Sequence, residues 1–152
     1  MSNVCTTKLN TYLANLMVWT VKLHNYHWNV QGSMFVALHH HTEEVYTQAF
    51  ENFDEVAEIL KMRGEMPLAT MKEYLAVATM QETPTKAYSC CEVLCMLEAD
   101  AELMLAAATD IRNDACANDD FQVQALFEGY VSHFQKQLWF LKAMKQPDTK
   151  CC

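Results

Sequence analysis

Apolar residues recur every three to four positions along most of the chain, which is the period of an amphipathic helix. The pattern covers residues 5–30, continues from Ser33 to Arg63, resumes after Thr83 and runs again from Asp119 to about Lys145. Its expected buried positions are Leu9, Leu13, Leu16, Trp19 or Thr20, Leu23 and Tyr26 in the first segment, Phe35, Leu38, Thr42, Val45, Ala49, Phe53, Val56 and Leu60 in the second, Leu94, Leu97, Ala101, Met104, Ala108 and Ile111 in the third, and Val123, Phe127, Tyr130, Phe134, Leu138 and Leu141 in the fourth. The chain is therefore predicted to form four long helices.

Helix-ending and helix-starting residues separate these segments. Gly32 interrupts the first pattern, and Gly64 is expected to end the second helix. Thr83, followed by a proline, is a predicted N-cap, and Asn118 is another. The connection before Thr83 carries TMKEYLAVATM at residues 70–80, which we predict to form a short helix. The predicted fold is an all-α, ferritin-like four-helix bundle with this short extra helix, because long connections are typical of such bundles.

The composition agrees with one helical domain. A chain of 152 residues that is 51% hydrophobic, with three glycines and three prolines, has a single-domain length and little material for loops. We predict one domain over residues 1–152, with short mobile arms at both ends. No apolar run approaches the ~20 residues that span a bilayer, and the N-terminus lacks the pattern of a secretory signal. A cytoplasmic protein is therefore expected.

The seven cysteines suggest reduced thiols. Their odd number and the absence of an export signal argue against a disulfide framework. Cys91 and Cys95 share a helix face, and Cys151 with Cys152 ends the chain, so either pair could bind zinc or copper. Core packing, or exposed thiols without a role, is the alternative, and the role of Cys90 is likewise left open.

Candidate metal ligands lie mostly in the second helical segment. Asp54 and Glu58 are four residues apart and share a helix face, so both carboxylates can coordinate one cation. His39 precedes Asp54 by about 22 Å along a continuous helix, at ~1.5 Å per residue, so the two cannot share an ion within one chain. Two copies of this helix packed antiparallel about a two-fold axis would join the histidine end of one to the acidic end of the other. The spacing thus predicts a site between subunits.

A second histidine lies on the other side of the predicted turn. His27 precedes Gly32 and His39 soon follows it, so a turn there lets the two imidazoles meet. Two imidazoles with two carboxylates suit ferrous iron, zinc or manganese better than calcium or copper(I). Glu43 falls on nearly the same helical stripe as Asp54, and it is either a further ligand or a solvated acid. No Glu-x-x-His occurs, which disfavours the site that larger ferritins build within one bundle.

Several short sequences resemble the Dps family, the miniferritins of the ferritin-like superfamily. They are HNYHWNVQG at 24–32, LH at 38–39, DEVAE at 54–58 and PLATMKEYL at 67–75. The similarity covers about residues 8–145. It implies a homododecameric shell in which His27 and His39 of one subunit and Asp54 and Glu58 of another form a ferroxidase centre. The implied activity is oxidation of ferrous iron, preferably by hydrogen peroxide, with the ferric mineral stored inside and the cell protected from oxidative damage.

Three features keep alternatives open. Asp119 and Asp120 match acids that line the family's pores for iron, but Ala125 stands where another acid is often found. A DNA-coating shell is the second hypothesis. A formal net charge of -8 disfavours it, because DNA binding needs clustered lysine and arginine. A soft-metal buffer that uses the cysteine pairs for zinc or copper is the third.

Overall fold

The computed structural model describes residues 3–145. The elements in chain order are α1 (Asn3–Asn29), β1 (Val30–Gln31), α2 (Phe35–Met62), α3 (Met71–Val77), β2 (Tyr88–Ser89), α4 (Cys90–Ala117) and α5 (Phe121–Lys145). α1 packs on α2, and α4 packs on α5. These two helix pairs contact each other through α1 and α4. The predicted bundle of four long helices and a short one is therefore confirmed. Within this part of the chain, no helix combines the length and the hydrophobicity needed to cross a bilayer.

The predicted stripes of α1, α4 and α5 form the core, and every position in them is buried. Aromatic rings join α1 to α5: Tyr12 lies edge-on to Phe127 with ring centroids 4.9 Å apart, and Trp19 contacts Phe134 at 5.8 Å. Burying one large apolar side chain contributes roughly 1.5–3 kcal/mol. In α2 the prediction is wrong at Phe35, which is 40% exposed because it is the first residue of the helix and packs on His39 instead, and Phe53 is only partly buried.

The third long helix begins later than predicted. Thr83 is not its N-cap, because the Thr83 hydroxyl accepts a hydrogen bond from Asn25 of α1. α4 starts at Cys90, where Ser89 and Glu92 form a capping box. The Ser89 hydroxyl accepts from the Glu92 N–H at 3.1 Å, and the Glu92 carboxylate accepts from the Ser89 N–H at 2.7 Å. This reciprocal pair satisfies two backbone donors at the helix start.

The turn between α4 and α5 also differs from the prediction. Asn118 ends α4 rather than starting α5, because its side-chain amide donates back to the carbonyl of Asp114 at 2.8 Å. Asp119 adopts a left-handed conformation with φ 54°. Asp120 accepts a hydrogen bond from the N–H of Val123 at 3.3 Å and so takes the capping position.

Gly64 ends the second helix as predicted, whereas α1 ends at Asn29, before Gly32, with β1 between them. Gly64 has φ +74°, a conformation that favours glycine, and the following Glu65 N–H donates to the carbonyl of Leu60 at 2.9 Å. Gly32 has φ +130°, and a Cβ there would lie 3.0 Å from Cys90 Sγ. β1, just before this turn, pairs in parallel with β2, which fixes the end of α1 beside the start of α4. The Gly32 turn is therefore held against the start of α4 by the β1–β2 pairing and lies close to Cys90.

The described cysteines occur in two states. Cys91 and Cys95 are disulfide-bonded, so the expectation of reduced thiols is wrong for them. An odd number excludes the pairing of all seven cysteines but not a bond at particular positions. Free thiols occur at Cys5, Cys90 and Cys116. Cys151 and Cys152 lie outside the described residues, as does the predicted C-terminal arm.

Candidate metal centre

The turn at Gly32 brings His27 of α1 and His39 of α2 into contact. Their rings stack with centroids 3.6 Å apart and an interplanar angle of 17°. His27 Nδ1 lies 2.7 Å from the carbonyl oxygen of His39, and His39 Nδ1 lies 2.9 Å from the carbonyl oxygen of His27. A carbonyl only accepts, so each Nδ1 carries a proton and donates it. Each Nε2 is then left unprotonated in the neutral ring, which is the form that binds a metal.

Thr42 gives His27 a further partner. Its buried hydroxyl oxygen lies 3.0 Å from His27 Nδ1 and donates its own proton to the carbonyl of Leu38 at 2.8 Å. The hydroxyl therefore accepts from the imidazole while it donates along its own helix. The sequence predicted that Thr42 is buried but missed this contact. Its place one helical turn after His39 is the signal that could have found it.

Burial is the main influence on the pKa of His27 and lowers it. The hydrogen bond to the His39 carbonyl and the negative charge of Glu43 oppose this effect without cancelling it. A lowered pKa keeps the imidazole neutral at neutral pH, ready to bind a metal. Glu43 itself is exposed on α2, near enough to act on His27.

Asp54 and Glu58 lie one turn apart on the exposed surface of α2, toward its other end. No three His, Cys, Asp or Glu side chains among residues 3–145 form a group that could hold a metal. One subunit therefore carries two separate parts, which we call the histidine half-site (His27 and His39) and the acidic half-site (Asp54 and Glu58). The structure brings together the members of the first, and it does not bring the two half-sites together within one chain.

The interior of the bundle holds a different polar group. Asp100 of α4 is 4% exposed, and its two carboxylate oxygens accept from Lys22 Nζ at 2.7 Å and from the Tyr26 hydroxyl at 2.9 Å. Burial raises the pKa of Asp100, and Lys22 opposes the rise. No second carboxylate residue is buried in the described part of the chain. This interior therefore lacks the set of carboxylates that larger ferritins use for two metals.

Asp119 and Asp120 line a surface cavity of about 460 Å³ between the α4–α5 turn and the start of α1. The carboxylate of Asp120 forms an ion pair with Arg63, whose side chain is 7% exposed. This contact neutralises much of the charge of Asp120, whereas Asp119 is exposed. The role of the two acids in a pore for iron stays a prediction.

Comparisons with known proteins identify the family and the fold. Residues 6–147 match the family described as Ferritin-like domain. DNA protection during starvation protein 2 of Bacillus anthracis is 36% identical over 135 residues, which are 89% of this chain and 92% of that protein. The crystal structure of a Dps protein from Bacillus brevis has a TM-score of 0.90 at 30% identity, over 96% of this chain and 100% of the other. A DPS protein from Vibrio cholerae O1, described as a member of a broad superfamily of ferritin-like diiron-carboxylate proteins, has a TM-score of 0.88 at 30% identity, over 93% and 89%.

Proposed function

The chain belongs to the ferritin-like family and, within it, to the Dps proteins, and on this premise we propose that it is a miniferritin ferroxidase and iron store. It binds ferrous iron at a site between subunits, oxidises it preferably with hydrogen peroxide, and keeps the ferric mineral inside a dodecameric shell. Consuming iron and peroxide together removes both reagents that generate hydroxyl radical. The cell is thereby protected from oxidative damage.

The observation that carries this proposal is the division of the ligands into two half-sites on one subunit. The Nδ1 atoms of His27 and His39 donate to backbone carbonyls, which leaves the Nε2 atom of each neutral ring unprotonated and able to bind a metal. Asp54 and Glu58 lie exposed on α2, toward the opposite end of that helix from His39. An antiparallel pairing of two α2 helices joins the histidine half-site of one subunit to the acidic half-site of its partner. The completed set suits ferrous iron, and Glu43 is proposed as an additional ligand beside the histidines.

The two half-sites have separate tasks in the oxidation. Each of two ferrous ions loses one electron to hydrogen peroxide, which takes up two protons, breaks its O–O bond and leaves as two water molecules. Asp54 and Glu58 favour this step, because the attraction between a carboxylate and a cation grows with the cation's charge. His27 and His39 contribute neutral nitrogens whose orientation is fixed by the hydrogen bonds of the rings.

Exposed aromatic side chains support assembly into a shell. Trp28, next to the histidine half-site, is 69% exposed, and Phe50, on α2 between the half-sites, is 58% exposed. Trp139 on α5 is 66% exposed. We assign these exposed aromatic side chains to contacts with other subunits. We place the two-fold contact over Trp28 and Phe50.

The charge distribution does not favour a shell that coats DNA. Six of the ten Lys and Arg side chains within residues 3–145 form ion pairs with acids of the same chain. Phosphate contacts need clustered cations that are available to the nucleic acid. The protection of DNA named for the Bacillus anthracis relative is therefore proposed to come here from removal of iron and peroxide.

Iron oxidation without oxygen tests the proposal. Purified protein is loaded with ferrous iron, hydrogen peroxide is added, and ferric absorbance is followed in the wild type and in an Asp54→Ala, Glu58→Ala variant. The wild type is expected to oxidise iron rapidly and to retain many ions per shell. The initial rate of the variant is expected to be at least about tenfold lower than that of the wild type, because half of the ligands have been removed.

A control variant separates the loss of ligands from the loss of charge. Glu82→Ala, Glu102→Ala removes two exposed carboxylates outside both half-sites and changes the net charge by the same amount. It is expected to oxidise iron at the wild-type rate. If the acidic half-site variant also kept the wild-type rate, the proposed site would be wrong.

A further inference from the structure

The first two turns of α4 carry the disulfide between Cys91 and Cys95. Both residues are half-buried, so each retains some contact with solvent. The bond closes a loop of only a few residues, and the entropy that a disulfide removes from the unfolded chain grows with the length of the loop it closes. This disulfide therefore stabilises the fold less than a bond between distant parts of the chain would.

Other contacts hold the helical turn that the bond spans. Residues four apart on a helix are neighbours, so α4 keeps the two side chains close together without the bond. The start of the helix is fixed by the capping box of Ser89 and Glu92 and by the pairing of β1 with β2. Opening the disulfide therefore leaves the helix and its place in the bundle intact.

The charges around the bond favour the reduced pair. Cys91 is the second residue of α4, where the positive end of the helix dipole stabilises a thiolate. The acids nearby are already paired. Glu92 pairs with Lys86 at 2.9 Å, and Glu98, seven residues after Cys91, pairs with Lys145. A stabilised thiolate is a better leaving group, and it makes the disulfide easier to reduce.

We propose that Cys91 and Cys95 form a redox-active site whose substrate is a dithiol. A thiolate of the dithiol attacks one sulfur of the disulfide, the S–S bond breaks, and the other cysteine leaves as a thiolate and takes up a proton. The second thiol of the dithiol then loses its proton and attacks the mixed disulfide, which releases the first cysteine in the same way. Two electrons and two protons thus pass from the dithiol to the pair. The exchange involves no metal and does not depend on the proposed ferroxidase.

The chain ends in two cysteines that can serve as this dithiol, Cys151 and Cys152, which lie outside the described residues. Lys145, the last described residue, pairs with Glu98, on the same helix face as the disulfide. The six residues from Lys145 to Cys151 span at most about 21 Å, at ~3.5 Å each. The disulfide lies about 5–10 Å from Glu98 along the helix, at ~1.5 Å per residue. The chain length therefore allows the C-terminal pair to be the dithiol, and a separate dithiol molecule is the other source of the same chemistry.

Reduction of the folded, assembled protein without iron tests the proposal. Dithiothreitol or an excess of reduced glutathione is added, free thiols are blocked with iodoacetamide, and peptide mass spectrometry determines the state of each cysteine. Dithiothreitol is expected to reduce Cys91 and Cys95 fully, with the circular dichroism and the size of the assembly unchanged. Glutathione is expected to reduce at least half of the pair, whereas a structural disulfide resists it. A bond that opens only in denaturant, or an assembly that unfolds when it opens, would show a structural disulfide and overturn the proposal.

Two variants identify the thiols that take part. Cys151→Ser, Cys152→Ser removes the C-terminal pair. If dilute glutathione then reduces the disulfide at least about tenfold more slowly, the dithiol is the chain's own, since a tethered thiol acts at a high effective concentration. An unchanged rate would assign the dithiol to a separate molecule. Cys116→Ser is the matched control, because Cys116 is an exposed free thiol at the far end of α4, and it is expected to change neither rate. Loss of reduction in this control would show exchange through a different thiol and would overturn the assignment.

Discussion

The interior of the bundle and the exposed surface of α2 both carry acidic side chains, and they differ in how those acids are satisfied. Asp100 has a partner for each oxygen, Lys22 and Tyr26, all within one chain. Asp54 and Glu58 lie open to solvent, far along the helix from the histidines with which they are predicted to share a metal. Acids whose bonds are complete inside one chain serve stability. Acids left open on the surface of α2 are those that we propose to serve a second subunit and a metal.

The largest effect is expected from breaking the interior pair. Lys22→Met leaves the carboxylate of Asp100 buried without its cation, which is expected to lower the free energy of unfolding by about 3–5 kcal/mol. Denaturant unfolding measures this loss. Iron oxidation per folded subunit is expected to stay at the wild-type level. A variant that kept its stability and lost oxidation would reverse the roles assigned to the two regions.

Removing both partners sharpens that result. Lys22→Met combined with Asp100→Leu replaces the buried ion pair by apolar side chains and is expected to recover most of the stability that Lys22→Met loses. If the double variant is no more stable than the single one, packing at Lys22 rather than the buried charge of Asp100 explains the loss.

An intermediate effect is expected at Thr42, which links the buried side of α2 to the histidine half-site. Thr42→Val keeps the shape but removes the hydroxyl that accepts from His27 Nδ1, leaving only the His39 carbonyl. The affinity for a divalent ion at the ferroxidase centre is expected to fall about tenfold. Thr42→Ser keeps the hydroxyl and is expected to bind as the wild type does. Equal affinities in Thr42→Val and the wild type would show that the hydroxyl does not position His27.

The smallest effect is a dependence of stability on pH at the histidine half-site. The pKa of His27 is lowered in the folded protein, so below the ordinary histidine value of ~6.5 the unfolded chain binds more protons there than the folded chain. The stability of metal-free protein is therefore expected to decrease as pH falls from about 6.5, and the decrease ends once pH is below the folded-state pKa. Denaturant unfolding at several pH values should show a shallower decrease in His27→Gln. An equal or steeper decrease in that variant would contradict the lowered pKa.

Much of the fold could be predicted from the sequence, because apolar periodicity reports directly on burial. The stripes of α1, α4 and α5 are buried as predicted, and Gly64 ends the second helix as predicted. The starts of α4 and α5 could not be placed correctly, since Thr83 and Asn118 are good caps locally. Contacts with distant residues decide between such candidates.

The candidate site could be predicted only in part. The spacing around Gly32 predicted that His27 and His39 meet, and the structure places them together. The contact of the Thr42 hydroxyl with His27 was missed, although Thr42 lies one helical turn after His39, because a threonine on a buried stripe is equally consistent with packing. The ligand roles of His27, His39, Asp54, Glu58 and Glu43 stay predictions, because they depend on a second subunit.

Mixed assembly of two inactive variants is the most direct measurement of the central claim, that each ferroxidase centre takes histidines from one subunit and acids from another. Subunits carrying His27→Ala and His39→Ala are assembled together with subunits carrying Asp54→Ala and Glu58→Ala, and peroxide-driven iron oxidation is compared with that of each variant alone. Random pairing of equal amounts makes half of the two-fold pairs mixed, and each mixed pair has one complete centre, so about a quarter of the wild-type initial rate is expected to return. A mixture no more active than its separate components would show that the centre is not shared between subunits and would contradict the account.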